Sequence, residues 1–187
     1  MQPFQIINQY HNPNSKNYQI LIIHSILVAN LALSIAKEKY PEADQEFIHQ
    51  AALLHDIGFN LPDIPNNQDR FLPLIKKQNF YLGHGYWGSK ILIQENLPKH
   101  AQVAANHIGV GLKKQEIQKH SWPLPKQNFL PSTLEQKIIS YADLFYSKKP
   151  GRLFEKETQT DILKQIRSFD FSQEKIATFK QWVEQFD

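Results

Sequence analysis

Residues 51–58, Ala-Ala-Leu-Leu-His-Asp-Ile-Gly, set a condition that any fold of this chain must meet. Four small or apolar residues in a row read as a buried helical turn. Gly58 suits the position just past a helix end, where a left-handed conformation is wanted. An imidazole and a carboxylate therefore sit at the last turn of an inward-facing helix. Burying that pair is expensive unless something compensates it. A metal ion is one compensation, and a local hydrogen-bonded pair is another.

The rest of the chain reads as helices joined by polar connections. Phe4 to Gln9 forms a short first segment, and 11–15 is a turn cluster. From about Asn17 to Lys39, Ile20, Ile23, Leu27, Leu31 and Ile35 recur at helical spacing and mark an inner face. Pro41 suits the first turn of the next helix, with Glu42, Asp44 and Glu46 near its N-terminus. Residues 59–83 carry three prolines and read as a long lid or binding connection, with a short helical turn around Leu72 to Ile75. Helices are expected from about His84 to Asn96, Pro98 to His107 and Lys113 to His120. Ser132-Thr133-Leu134-Glu135 reads as a capping box for a helix that ends at Pro150-Gly151. Two more follow, near Phe154–Phe169 and Ser172–Phe186, the last with a packing stripe of Ile176, Phe179, Val183 and Phe186. No stretch reads as a strand. The expectation is an all-α bundle forming a single domain over 1–187.

Composition narrows the chemistry. Hydrophobic content of 41% and charged content of 21% in 187 residues are ordinary for a globular chain with a real core. Cysteine is absent, so disulfides and thiolate metal sites are excluded, leaving His, Asp and Glu as metal ligands. The net charge of +3 is spread out, with no basic tract of the kind that marks nucleic-acid binding. The apolar run from Ile20 to Ile35 is interrupted by His24, Ser25, Asn30 and Ser34 and does not read as a membrane span. The first residues lack a basic segment followed by an apolar one, so no secretory signal is expected and the location reads as cytoplasmic by default.

Of the eight histidines, four have company that matters. His24 lies inside the apolar helix and faces inward with Leu27, Val28 and Leu31. His55 and Asp56 are adjacent at a helix end. His84 stands between Gly83 and Gly85, and His107 precedes Ile108-Gly109-Val110-Gly111. Asp143 is embedded in the apolar 138–145 stretch and needs a partner. His11, His49, His100 and His120 read as bystanders, the last two in polar surroundings.

The order His, His-Asp, His, His, Asp resembles the HD superfamily of metal-dependent phosphohydrolases. The match is carried by His24 to Ala29, Leu53-Leu54-His55-Asp56-Ile57-Gly58, His84-Gly85-Tyr86-Trp87-Gly88 and Ser140-Tyr141-Ala142-Asp143. Asn106 to Leu112, Leu134 to Lys137 and Phe145 to Lys148 are similar to a small bacterial HDIG-type subgroup. The resemblance implies an HD-domain helical bundle, with a metal-binding core at about 17–147 and C-terminal helices at about 154–186. It implies that His24, His55, Asp56 and Asp143 hold one metal. His84 and His107 match the extra ligands of two-metal members, with Asp56 bridging the ions and serving as the catalytic carboxylate. Imidazole and carboxylate ligands suit divalent Mn, Fe, Co, Ni or Zn. Two such ions about 3.5–4 Å apart clamp a phosphate and generate a hydroxide nucleophile. The implied activity is hydrolysis of a small phosphate ester or phosphoanhydride, a nucleotide among the candidates, by a metal-bridged hydroxide.

The departures from the pattern also inform. Some single-metal nucleotidases of the superfamily carry a Glu three residues after the Asp of the dipeptide, and here Phe59 and Asn60 follow Gly58. Cyclic-dinucleotide phosphodiesterases and symmetrical dinucleoside-tetraphosphate hydrolases carry a Lys at the position of Phe59. Phosphate-binding candidates are Lys148, one residue past Ser147 and the turn beyond Asp143, and Arg152. The alternative to an enzyme is a metal-containing domain that senses or binds a nucleotide without cleaving it. A third class, the mixed-valent di-iron oxygenases, uses six similar ligands, but their additional segments are absent from this sequence.

Overall fold

The computed structural model describes residues 2–61 and 81–187. Among these residues the chain is all-α, as expected. Its helices are α1 Pro3–Tyr10, α2 Lys16–Lys39, α3 Gln45–Leu54, α4 His84–Gln94, α5 Pro98–Asn106, α6 Lys114–Lys119, α7 Leu134–Asp143, α8 Gln159–Arg167 and α9 Ser172–Phe186. A 3-10 turn, Tyr81–Gly83, leads into α4. The only strand-like pairings among the described residues are two isolated bridges, Leu112 with Phe129 and Tyr146 with Lys156. The helical turn expected near Leu72 lies outside the described residues.

Caps explain where the helices begin, and they correct three expected boundaries. Ser15 caps α2, its side chain accepting from the Tyr18 N–H at 3.1 Å. Asp44 caps α3, accepting from the Phe47 N–H at 2.9 Å, so the helix starts after Pro41 rather than on it. Thr133, not Ser132, caps α7. The Gln136 side chain reaches back to the Ser132 N–H at 3.0 Å and does the work expected of Glu135. Before α8, residues 154–157 are drawn into a short pairing, with the Glu157 N–H donating to the Phe145 carbonyl at 2.8 Å. That pairing delays the helix to its Thr158 cap.

The long helix α2 packs along α3 and α7. Its buried face is rotated from the expected one. Leu21, His24, Ser25, Val28, Ala29, Ala32, Ile35 and Ala36 are buried, whereas Ile20, Ile23, Leu27 and Leu31 are only partly so. Small residues occupy the centre because Ala29, Ala32 and Ala36 share a core with Ala51 and Ala52 of α3. By length and composition α2 is apolar enough to cross a membrane. In the bundle it is instead a core helix that carries an inward-facing imidazole.

Two apolar clusters meet at the His55-Asp56 turn. One joins α2, α3, α7, α8 and α9, with Phe179, Trp182 and Phe186 closing over Tyr141. The other joins α1, Leu21, Leu54, Ile57 and α4 with α5. Leu53 belongs to the first cluster and Leu54 with Ile57 to the second, so the polar dipeptide is pinned at the seam. Each fully buried aliphatic side chain here contributes roughly 1.5–3 kcal/mol, which offsets part of the cost of the polar pair.

Gly58 is required for a reason other than the left-handed cap expected of it. Its φ is not positive; Asn60, at φ 46°, takes the left-handed turn. A Cβ on Gly58 would stand 2.1 Å from the His84 carbonyl oxygen and 2.4 Å from the Gly88 nitrogen. The backbone of α4 therefore lies directly on the His-Asp turn. Gly58→Ala is expected to separate these elements and to cost about 3 kcal/mol, the upper range for overpacking. Thermal unfolding followed by circular dichroism should show a fall in Tm of roughly 6–12 °C. A Tm within a degree of the parent would show that the turn yields freely.

Candidate metal centre

Helix ends build this site. His55 follows α3, His84 opens α4, His107 follows α5, and Asp143 closes α7. The last carbonyls of a helix lack intrahelical partners and can accept from a side chain. His55 Nδ1–H donates to the Ala52 carbonyl at 2.6 Å, and His107 Nδ1–H donates to the Ala104 carbonyl at 2.7 Å. His84 Nδ1–H donates to the Tyr81 carbonyl at 2.5 Å. A carbonyl only accepts, so each neutral ring carries its proton on Nδ1 and an exposed lone pair on Nε2. The same local device, a bond three residues back, is used three times to aim Nε2 inward.

Asp56 is the centre of the arrangement and is fully buried. Its Oδ2 lies 3.2 Å from His24 Nε2 and 3.4 Å from His55 Nε2. Its Oδ1 lies 2.9 Å from His84 Nε2 and 3.3 Å from His107 Nε2. Asp143 Oδ1 completes the first side, 2.8 Å from His24 Nε2 and 3.3 Å from His55 Nε2. Two groups result: His24, His55, Asp56 and Asp143, and Asp56, His84 and His107, each with ligand atoms within 4.8 Å of one another. One carboxylate spans both, with one oxygen turned to each.

Such an arrangement of lone pairs is unfavourable without a cation. His84 Nε2 and His107 Nε2 face each other at 3.1 Å with both Nδ1 protons already committed. Neither Asp56 oxygen has a hydrogen bond of good geometry, nor has His55 Nε2. Ligands held at about 2.1 Å from one ion stand roughly 3.0–3.4 Å apart, close to the spacings seen here. The donor set therefore fits divalent metal.

The electrostatics agree. Burial alone would lower His55, yet Asp56 and Asp143 push it up to about 10. Burial would raise both carboxyls, but the Lys148 ammonium and the neighbouring rings hold them well below the usual range. His107 goes the other way, lowered by burial to about 4. The two carboxylates thus draw positive charge inward, while the second group keeps a neutral ring.

Lys148 supplies part of that charge. Its Nζ is 2.7 Å from Asp56 Oδ2 and 3.8 Å from Asp143 Oδ1, and burial is overcome so that its pKa is raised. It reaches the centre because α7 stops at Asp143, and not by extending the helix as the sequence reading had it. Arg152 stands elsewhere, exposed, with its guanidinium on Glu155 and Glu157. Among the expected bystanders, His49 is exposed, but His11 is buried and its Nε2 meets the Ile57 carbonyl at 2.7 Å. His11 thereby braces the His-Asp turn from α1. His100, expected in polar surroundings, is buried with its ring edge-on to Phe47. Neither position carries a local sequence signal, because its partner is distant in the chain.

Residues 21–147 match the HD domain family. The chain belongs to the HD family. Among curated relatives of this HD chain, an uncharacterized protein of Methanocaldococcus jannaschii is 32% identical over 127 residues, covering 66% of this chain and 64% of its own length. A tRNA (cytidine(56)-2'-O)-methyltransferase of Thermoplasma volcanium is 30% identical over 128 residues, covering 68% of this chain and 32% of its own. The chain thus spans less than two thirds of the length of these relatives. The crystal structure of the HD domain of the L. monocytogenes phosphodiesterase PgpH superposes with a TM-score of 0.52 at 20% identity, covering 96% of this chain and 94% of that one. The same domain in complex with cyclic-di-AMP gives a TM-score of 0.51. At that identity the likeness establishes the fold.

Proposed function

We propose that this HD domain is a metal-dependent phosphohydrolase acting on a small phosphate ester or phosphoanhydride. The carrying observation is the buried set of three inward-aimed Nε2 atoms around a carboxylate that faces two ligand groups. His24, His55, Asp56 and Asp143 would hold one divalent ion, and Asp56, His84 and His107 a second. Ions bound there would supply Lewis acidity toward a phosphoryl oxygen and a water nucleophile at neutral pH. The protein's own part is placement: carbonyl-anchored imidazoles fix the ligand shell, and the seam between two apolar clusters buries Asp56 at its centre. The Lys148 ammonium, on the cavity side of Asp56, is suited to meet a phosphoryl oxygen as a point charge. A nucleotide is a reasonable substrate, since the structurally similar PgpH domain binds cyclic-di-AMP.

Metal analysis of the purified protein, with a screen of phosphate esters in added Mn²⁺, tests this reading. Bound metal with release of phosphate is expected; no metal and no turnover would reject it. The non-catalytic reading has one observation in its favour. The position of the water-orienting carboxylate of some relatives is filled by Phe59 and Asn60, and Phe59 is buried with its ring 6.4 Å from that of His84. Tight nucleotide binding with no product after long incubation would select it.

A further inference from the structure

Lys148 reaches the metal centre beside a cavity of about 570 Å³, whose lining includes Phe59, Tyr81, His84, Asp143 and Lys148 itself. Two aromatic rings meet its ammonium there. The Lys148 Nζ lies 5.9 Å from the centroid of the Phe59 ring and 5.9 Å from that of Tyr81, within the reach of a cation–π contact. The rings stand 6.3 Å apart at 81°, so together they form a corner. Phe59 is buried, and Tyr81 is 53% exposed at the rim. The Lys148 side chain is only 9% exposed, and a ring face attracts an ammonium most strongly where water is excluded. Tyr81 has a second tie to the centre, since its carbonyl accepts from His84 Nδ1–H. Phe59 follows Gly58 directly on the His-Asp turn.

The carboxylates alone hold Lys148 loosely. Its ammonium is a point charge on a four-carbon stem with three rotatable donors. Asp56 Oδ2 takes one donor at 2.7 Å, but Asp143 Oδ1 at 3.8 Å lies beyond hydrogen-bond distance. Both carboxylates also belong to the ligand groups, and divalent ions on them would offset the charge that draws Lys148 in. The rings face no such competition. A ring face attracts an ammonium without neutralising it as a further carboxylate would, so N–H donors stay available to an anion. We infer that Phe59 and Tyr81 are positioning residues whose rings hold the Lys148 ammonium where it meets a phosphoryl oxygen. The contact with the phosphoryl oxygen rests on the hydrolase reading above; the coupling of rings to ammonium does not.

Binding of inorganic phosphate to the Mn²⁺-loaded full chain, measured by calorimetry in a double-mutant cycle, tests the inference. Lys148→Met is expected to weaken phosphate about tenfold, the scale of one hydrogen bond to a charged group. Tyr81→Leu and Phe59→Leu should each weaken it about fivefold. In the Lys148→Met background each should change it by less than about twofold, which a ring acting only through packing or through His84 would not do. Tyr81→Phe should keep the parent affinity, because the ring and not the hydroxyl holds the charge. Tyr81 lies at the surface, so its variants carry the test alone if Phe59→Leu fails to fold. Equal losses with and without Lys148, a loss in Tyr81→Phe as large as in Tyr81→Leu, or no phosphate binding by the parent would overturn it. Turnover of a phosphate ester by the same variants separates the two proposals. Ring effects on binding that depend on Lys148, with no turnover by the parent, sink the hydrolase and leave the positioning role. Turnover that falls equally in both backgrounds sinks the positioning role and leaves the hydrolase.

Discussion

Asp56→Asn is expected to lower phosphate-ester turnover by about 10³-fold while leaving the helical content intact, on the scale of removing one charge-stabilising group from a buried site. The amide keeps the shape of the carboxylate but not its charge. Both ligand groups lose their common member, since Oδ2 serves the His24 and His55 side and Oδ1 the His84 and His107 side. The Lys148 ammonium also loses its closest partner, at 2.7 Å, and keeps only Asp143 at 3.8 Å. Metal content should fall with activity. A variant that retained both would remove Asp56 from its proposed bridging role. Turnover with added Mn²⁺ and metal stoichiometry on the same preparation provide the check.

Chelation is expected to have an equally large effect on stability. The apo site holds facing lone pairs on His84 and His107 and two buried carboxylates compensated only by the Lys148 ammonium and a proton on His55, so the folded state gains most from metal and the unfolded chain little. At a free metal concentration about 1,000-fold above the Kd, linkage stabilises the fold by about 4 kcal/mol. For a chain of this size that corresponds to roughly 8–16 °C in Tm. Scanning calorimetry of protein treated with EDTA, then reloaded with Mn²⁺, should show a drop of that order and its recovery. The shift should vanish in Asp56→Asn. An unchanged Tm on stripping would mean that the cluster is satisfied without metal.

The bundle and the convergence of His24, His55, Asp56, His84, His107 and Asp143 were legible in the sequence for one shared reason. Imidazoles and carboxylates embedded in apolar helical periodicity carry a desolvation cost that only convergence can repay, and His24, His55 and Asp143 are each so embedded. What remained hidden depends on tertiary approach. The role of Gly58 is set by a helix that begins 26 residues later, at His84. The buried face of α2 follows its alanines, because closeness to α3 mattered more there than side-chain size. His11 finds the Ile57 carbonyl across 46 residues, and Lys148 finds Asp56 because α7 stops early. Phe169 was read only as the end of a helix, and its half-exposed ring beside the cavity is set by tertiary packing.

The most direct measurement is anomalous X-ray scattering from crystals grown with Mn²⁺, with the two ligand groups inspected separately. Two peaks are expected, one among His24, His55, Asp56 and Asp143 and one among Asp56, His84 and His107, about 3.5–4 Å apart. An ordered site with no anomalous peak, its imidazoles and carboxylates bonded only to one another and to Lys148, would contradict the metal centre on which the proposed chemistry depends.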